Sequence, residues 1–201
     1  MTLAVISSKF IRLQVLRIMN KITQTNFENL WIEDRELQNT AFSYILQVTD
    51  TLVDWAYEVW DDVLKNLKHS DNHNRAIAAQ VLCNLAKSDP KERILKNLPA
   101  LLAVTKDERF VTARHCMQAL WKVGIAGKKQ QQKLVSGLAG RFKECITEKN
   151  CTLIRYDILQ SLRNIYDVVK DEKIKEKALE LIETEEDAKY RKKYATLWKI
   201  R

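Results

Sequence analysis

The chain has 201 residues, of which 46% are hydrophobic, enough for one extended domain with a hydrophobic core. Its 4 glycines and 2 prolines leave few chain breakers, which argues against a β-rich or disordered protein. Its 4 cysteines form no dense framework and no apolar run approaches the ~20 residues of a membrane-spanning helix, so we expect a soluble, all-α protein in the reducing cytoplasm.

Residues 1–22 are predicted to form a first amphipathic helix, with Ile6, Phe10, Leu13 and Leu16 on one side. This stretch is basic and contains no acid, a composition that also fits a mitochondrial presequence; a terminal repeat helix explains the same pattern. A short segment around residues 26–32 is expected next. A helix from about Asp34 to Val48 follows, with an inward side formed by Phe42, Ile45 and Leu46.

The predicted helices come in pairs, of which residues 52–67 with 73–87 form the second and residues 91–123 the third. In the latter pair, Asp89 is expected to cap the first helix and Pro90 to occupy its first position, where no N–H donor is needed. Pro99 lies inside this helix and should bend it, because it removes one backbone hydrogen bond.

The second helix of residues 91–123 is expected to be capped by Asp107 and to end at Gly124 and Gly127. Its inward stripe is Ala113, Cys116, Leu120 and Val123. With the preceding segment Leu98-Pro99-Ala100-Leu101-Leu102, this pattern resembles the HEAT repeat. The Val-Arg pair that starts the second helix in that family is Thr112-Ala113 here, whereas the neighbouring pairs carry Asn74-Arg75 and Ile154-Arg155.

A fourth pair is predicted over residues 130–146 and 152–168, and a fifth over 172–183 and 187–200. Equivalent inward positions recur in steps of 36, 38, 42 and 36 residues, at Leu46, Leu82, Leu120, Leu162 and Trp198. The resemblance therefore implies a right-handed α-solenoid of about five HEAT-like hairpins in a single domain, residues 1–201. The repeats are expected at about 1–48, 52–87, 91–123, 130–168 and 172–200.

Charge is distributed unevenly along the chain. Residues 1–27 carry four bases and no acid, residues 28–62 carry nine acids against one base, and the remainder holds 29 bases and 17 acids. The net charge of +8 is therefore the sum of a short basic segment, an acidic one and a long basic one. Because a solenoid displays its repeats along a line, we expect an acidic end next to a basic flank.

The second helices are expected to line the concave surface, as the resemblance implies. If Leu120 points inward, positions two residues away lie about 160° around the helix and face out. Gln80, Gln118 and Gln160, with Asn84, Lys122 and Asn164, then form an outward column. Nearby cations complete a candidate binding face of Arg75, Gln80, Arg114, Gln118, Lys122, Arg155, Gln160 and Arg163. Such groups suit a polyanion or a peptide backbone, although a solvated polar face has the same composition.

A second candidate surface is acidic. Asp54, Glu58 and Asp61 follow helical spacing and should share one side, with Trp55 beside them as an exposed contact. This stripe could dock a basic partner, or it could be the solvated face of a surface helix. Trp60 and Trp121 are better explained as packing between repeats.

No catalytic or metal motif is recognisable in the sequence. His69 and His73 are separated by a turn-forming segment that would not present both rings together. Cys83 and Cys116 are expected to pack inside, whereas Cys145 and Cys151 flank the turn of the fourth pair and could approach each other. We therefore expect no metal, no cofactor and no small-molecule substrate.

Two functional hypotheses follow. The resemblance to HEAT repeats implies a non-catalytic scaffold that binds a protein or nucleic-acid partner, rather than a membrane, on its concave face. The alternative is an enzyme, because a family of alkylpurine DNA glycosylases is similar in being built from HEAT-like repeats. That family uses aromatic side chains and an acidic residue, types supplied here by Trp55, Trp60, Asp61, Asp62 and Trp121. Its local Trp-Asp arrangement is not clearly reproduced.

Overall fold

The computed structural model describes residues 19–199, and every regular element in that range is helical. The α-helices are α1 (Lys21–Asn29), α2 (Arg35–Val48), α3 (Ala56–Asn66), α4 (Asn72–Leu85), α5 (Arg93–Val104), α6 (Phe110–Ala119), α7 (Trp121–Gly124), α8 (Lys128–Glu144), α9 (Cys151–Val169), α10 (Glu172–Glu183) and α11 (Ala188–Ala195). Short 3-10 turns extend α4, α8 and α11. Among these helices, none is both long enough and apolar enough to cross a bilayer.

Consecutive helices pack against each other as pairs: α1 with α2, α3 with α4, α5 with α6, α8 with α9, and α10 with α11. The pairs also contact one another in order. The second helices form one row, in which α2 contacts α4, α4 contacts α6 and α6 contacts α9. On the other side, α5 contacts α8, which in turn contacts α10. The helices α4, α6, α8 and α9 therefore each contact helices of the pair before and the pair after their own.

The core lies between these two rows. The inward stripe predicted for the second helix of residues 91–123 is confirmed, since Ala113, Cys116, Leu120 and Val123 are all buried. Trp60 of α3, Phe142 of α8 and Tyr194 of α11 are among the largest side chains with no exposed surface. Burying such aromatic groups contributes about 1.5 to 3 kcal/mol each, so packing between pairs supplies much of the stability.

Several helices begin at an aspartate that satisfies the otherwise unpaired N–H groups of the first turn. The carboxylate of Asp34 accepts from the backbone of residues 36 and 37, and Asp71, Asp171 and Asp187 act in the same way at the starts of α4, α10 and α11. Each such cap is worth about 1 kcal/mol. The predicted start of α2 at Asp34 is confirmed.

The start of α5 differs from the prediction. The helix begins at Arg93, not at Pro90, and is preceded by Glu92 in the left-handed region with φ of 54°. Asp89 nevertheless caps α5, because its two carboxylate oxygens accept from the backbone N–H groups of Arg93 and Ile94 at 2.9 and 2.7 Å. The cap is therefore real, but a turn separates it from the helix. Pro99 lies inside α5 as predicted.

Of two other predictions near the N-terminus, one is corrected by the structure and the other falls mostly outside the described residues. The short segment expected around residues 26–32 contains the end of α1, which runs from Lys21 to Asn29. Most of the helix predicted over residues 1–22 lies outside the described residues. Asn20 caps α1 by accepting from the N–H of Thr23, a start signal that the broad basic stretch before it obscured.

Candidate functional site

A shallow groove of about 140 Å³ opens on the row of second helices. It is lined by α2, α4, α6 and α7 through Leu46, Gln80, Asn84, His115, Gln118, Ala119 and Lys122. Three of the residues predicted for the binding face, Gln80, Gln118 and Lys122, therefore meet at one place although up to 42 positions separate them. Leu46, Asn84 and His115 were not in that prediction.

The floor of the groove is a hydrogen-bonded polar cluster. Asn84 was expected to face out, but it is buried, and its amide nitrogen donates to the carbonyl of Leu46 at 3.1 Å and to the hydroxyl of Thr49 at 3.0 Å. The amide oxygen accepts from Nζ of Lys122 at 2.7 Å. Nζ of Lys122 also lies 3.6 Å from a carboxylate oxygen of Asp50. The lysine charge is thus partly satisfied inside the molecule.

The two glutamines on the walls retain hydrogen-bonding capacity. Nε2 of Gln80 donates to the carbonyl of Ala76 on its own helix at 3.1 Å, and Nε2 of Gln118 makes a long contact of 3.4 Å to Asp157. Within residues 19–199, neither amide oxygen accepts a hydrogen bond. Because Gln118 is also exposed, its carboxamide can accept from and donate to a ligand without breaking a core contact.

The groove has no strong charge of its own. His115 is exposed on α6, where partial desolvation lowers its pKa and the neighbouring His73 and Arg114 lower it further. His115 is therefore mainly neutral at physiological pH, since even its unperturbed pKa is about 6.5. Lys122 is balanced by Asp50. The groove therefore presents amide, imidazole and apolar groups to a ligand rather than a cluster of unpaired cations.

Gln160 of α9 continues the column of amides but not the groove. Its Nε2 donates to the side-chain oxygen of Asn164 at 2.8 Å, so the two amides predicted to face outward bond to each other one helical turn apart. Both are half-buried. Because α9 packs against α6, Gln160 lies on the next helix of the same row.

Arg75 was expected to contact a partner, but it links two helix pairs. Its guanidinium forms a bidentate ion pair with Asp107, at 2.5 Å from Nε and 2.8 Å from Nη2. Nη1 donates to the carbonyls of His69 and Ser70, both at 2.9 Å. The side chains of Arg75 and Asp107 are only 12% and 5% exposed. This arginine therefore fastens α4 to the turn before α6.

Arg155 holds the next junction in the same manner. Nη1 lies 2.8 Å from Glu185, which is also buried, and Nε donates to the carbonyl of Phe142 at 3.2 Å. The guanidinium stacks on the Phe142 ring with 4.7 Å to its centroid. Arg155 thus ties α9 to α8 and to the turn before α11, and the prediction that it lies on an open binding face is wrong.

The other two predicted arginines are also engaged. Arg114 of α6 forms a bidentate pair with the buried Asp157 of α9, at 2.7 and 3.1 Å, and remains partly exposed. Arg163 pairs with Asp167 on its own helix, donates to the carbonyl of Leu197 at 3.0 Å and stacks over Trp198. An ion pair raises the pKa of each arginine, so both stay charged while occupied.

A sequence signal for these pairs existed. Arg35 pairs with Asp71 36 positions later, and Arg75 pairs with Asp107 after 32, intervals close to the steps between the predicted inward positions. An acid at such an interval after an arginine at the start of a second helix indicates a link between neighbouring helix pairs. Asp157 gave a different signal, because it is an acid placed beside the apolar residues Ile158 and Leu159.

The predicted acidic stripe is only partly assembled. Asp54 precedes α3 and is exposed, as are Glu58 and Asp61 on that helix. Asp61 pairs with Arg93 of α5, and Glu58 accepts a long hydrogen bond from the backbone of Met19. Trp55, expected as an exposed contact, is 7% exposed and belongs to the core. The surface therefore lacks the aromatic contact that the sequence predicted.

The residues named for the glycosylase alternative do not form one cleft. Trp60 has no exposed surface, and its Nε1 donates to Asn97 at 3.1 Å. Asp61 is paired with Arg93, and Asp62 is exposed on the opposite side of α3 from the buried indole. Trp121 lies half-buried on α7. A base could not stack on Trp60 without unfolding α3 from the core.

No three or more His, Cys, Asp or Glu side chains are grouped as metal ligands in the part of the chain that the structure describes. Nδ1 of His69 accepts from the backbone N–H of Asp71, which places this ring in the turn before α4. Cys83 and Cys116 are fully buried as predicted, and burial raises the pKa of both thiols. Cys145 and Cys151 do approach each other, with 2.9 Å between their sulfur atoms.

Comparison with known proteins gives a fold likeness alone. No protein-family model matches the chain. No curated protein matches it either. Among the solved structures that are similar is the crystal structure of an engineered protein from the Northeast Structural Genomics Consortium, with a TM-score of 0.51 and 18% sequence identity. The match covers 89% of this chain and 80% of that one, so the similarity extends over most of the helical array.

Proposed function

We propose that this protein is a HEAT-like helical scaffold that binds an extended segment of a protein partner in the groove on its second helices. The supporting observation is that Gln80 and Gln118 reach one groove from adjacent helices, each with an amide oxygen that no described residue uses. An extended peptide presents N–H and C=O groups at regular intervals, and carboxamides can pair with both.

The proposed architecture is a right-handed α-solenoid of about five hairpins. This architecture is supported by the order of contacts, in which the second helices pack in succession, α2 on α4, α4 on α6 and α6 on α9. It is also supported by ion pairs that join neighbours, since a repeat that cannot bury its own apolar stripe must be fastened to the next. Four free cysteines are compatible with a reducing cytoplasm.

A protein partner is favoured over nucleic acid by the state of the cations. Nucleic-acid binding draws its affinity from lysines and arginines that can neutralise phosphates. Arg75 and Arg155 are buried in ion pairs, and Lys122 is shared between Asn84 and Asp50. Withdrawing Arg75 or Arg155 would leave a buried carboxylate without its cation, so the face offers less free positive charge than the sequence suggested.

The test uses the full chain against a library of displayed random peptides, followed by fluorescence anisotropy with a selected peptide. Replacing Gln80 and Gln118 together by alanine removes two sets of hydrogen bonds, each worth about 1 kcal/mol, so we expect about thirtyfold weaker binding. The control is Gln132→Ala on α8, which makes the same kind of substitution once, on an exposed position of the other row.

Two outcomes would overturn the proposal. One is an equal loss of affinity for Gln132→Ala and for the double variant, because the groove would then play no special part. The other is the absence of any selected peptide together with tight binding of duplex DNA that falls steeply as salt increases. In that case the partner is a nucleic acid, and the binding surface lies elsewhere on the chain.

A further inference from the structure

Two cysteines face each other at the turn between α8 and α9. Cys145 opens the 3-10 turn after α8, and Cys151 is the first residue of α9. Their sulfur atoms are 2.9 Å apart, and both cysteines are free. A disulfide bond is about 2.04 Å long, so the two atoms would need to close by less than about 1 Å to be joined.

The turn itself holds the sulfur atoms in this position. The N–H of Glu148 donates to the carbonyl of Cys145 at 2.8 Å, and the N–H of Cys151 donates to the carbonyl of Glu148 at 3.0 Å. The carboxylate of Glu148 is gripped by Arg141 at 2.5 and 2.7 Å. The approach of the two thiols is therefore maintained by a hydrogen-bonded turn anchored to α8.

The two thiols differ in their access to solvent. Cys145 is fully buried, and burial together with the hydrogen bond to Cys151 raises the pKa of its thiol to about 12. Cys151 is half-buried and is the one a reagent from solution meets first. Cys83 and Cys116 have no exposed surface, so a dissolved oxidant cannot reach them in the folded chain.

We propose that Cys145 and Cys151 form a reversible dithiol–disulfide site that exchanges with small-molecule disulfides of the glutathione type. In the first step the Cys151 thiolate attacks one sulfur of the oxidant, which breaks its S–S bond and releases one glutathione thiolate. In the second step the Cys145 sulfur gives up its proton to solvent and attacks Cys151. The second glutathione leaves as a thiolate, and the internal disulfide remains.

The net reaction is balanced. Two protein thiols lose two electrons and two protons, and one molecule of oxidised glutathione becomes two of reduced glutathione. The burial of Cys145 assigns the order of the steps, since a thiol with so high a pKa is a poor first nucleophile but lies directly beside the mixed disulfide on Cys151. The turn of residues 146–150 is closed by the bond.

The experiment incubates the folded, reduced chain with oxidised glutathione, quenches it in acid and counts thiols after denaturation. Of 4 thiols in the chain, we expect two to be lost with no glutathione retained. Trypsin cuts after Lys149, between the two cysteines, so the fragments carrying Cys145 and Cys151 should stay joined until a reductant is added.

Variants distinguish the roles of the two cysteines. Cys145→Ser should leave glutathione attached to Cys151, because no second thiol is in reach to displace it. Cys151→Ser should react much more slowly, because its remaining thiols are all buried. The proposal is overturned if the wild-type chain keeps all 4 thiols, keeps glutathione bound to Cys151, or forms disulfides between two chains.

Discussion

Arg75 gives the sharpest test of whether the predicted binding arginines are structural. In Arg75→Ala, the carboxylate of Asp107, whose side chain is 5% exposed in the wild-type chain, loses both guanidinium bonds and keeps only the backbone N–H of Arg109. Removing one partner of a buried ion pair costs about 3 to 5 kcal/mol. We expect about 3 kcal/mol, the lower end, because that N–H remains bonded to the carboxylate.

Urea unfolding followed by circular dichroism measures this loss of unfolding free energy directly, and a thermal scan followed in the same way gives the melting temperature. For a chain of this length, 1 kcal/mol shifts the melting temperature by about 2 to 4 °C, so Arg75→Ala should melt about 6 to 12 °C lower. The matched control is Arg109→Ala, which removes the same charge from an exposed position nearby. Its stability should stay within about 0.5 kcal/mol of the wild-type chain.

The reasoning fails if the two variants are equally stable. It also fails if Arg75→Ala keeps the wild-type stability but no longer binds the peptide selected on the groove. That second result would return Arg75 to the binding role that the sequence predicted, and the bidentate pair with Asp107 would then make no net contribution to stability.

Three further predictions concern stability. Burial alone would raise the pKa of Asp107, but hydrogen bonds from Arg75 and from the backbone bring it below its ordinary value. A depressed pKa in the folded state stabilises the fold above the unfolded pKa of about 3.9, and this stabilisation is lost as pH falls through the folded pKa. The difference in unfolding free energy between the wild type and Asp107→Asn should therefore shrink below about pH 4 in urea titrations. Gly124→Ala would place a Cβ 2.5 Å from the side chain of Ile165 and should cost about 1 to 3 kcal/mol in the same assay. Gly140→Ala on α8 meets nothing within 4 Å and should instead stabilise by up to about 1 kcal/mol; equal effects at both glycines would contradict the packing.

The helices themselves were accessible from the sequence because their signals are local. The recurrence of apolar residues every three to four positions located the stripe of Ala113, Cys116 and Leu120, all of which are buried. Asp34 marks the start of α2, because a capping side chain accepts from N–H groups only two or three residues away. The proximity of Cys145 and Cys151 also followed from a short turn between two helices.

The use of each outward side chain could be decided only by the tertiary structure. Helical geometry states which side of a helix an arginine occupies, but not which acid a neighbouring helix brings to it. Arg114 meets Asp157, 43 positions away, and Arg155 meets Glu185, 30 positions away. Ion pairing depends on distances of a few ångströms between segments that are remote in the chain. The arginines of the predicted basic face therefore form ion pairs inside the molecule, whereas the amides of the groove stay open to a ligand.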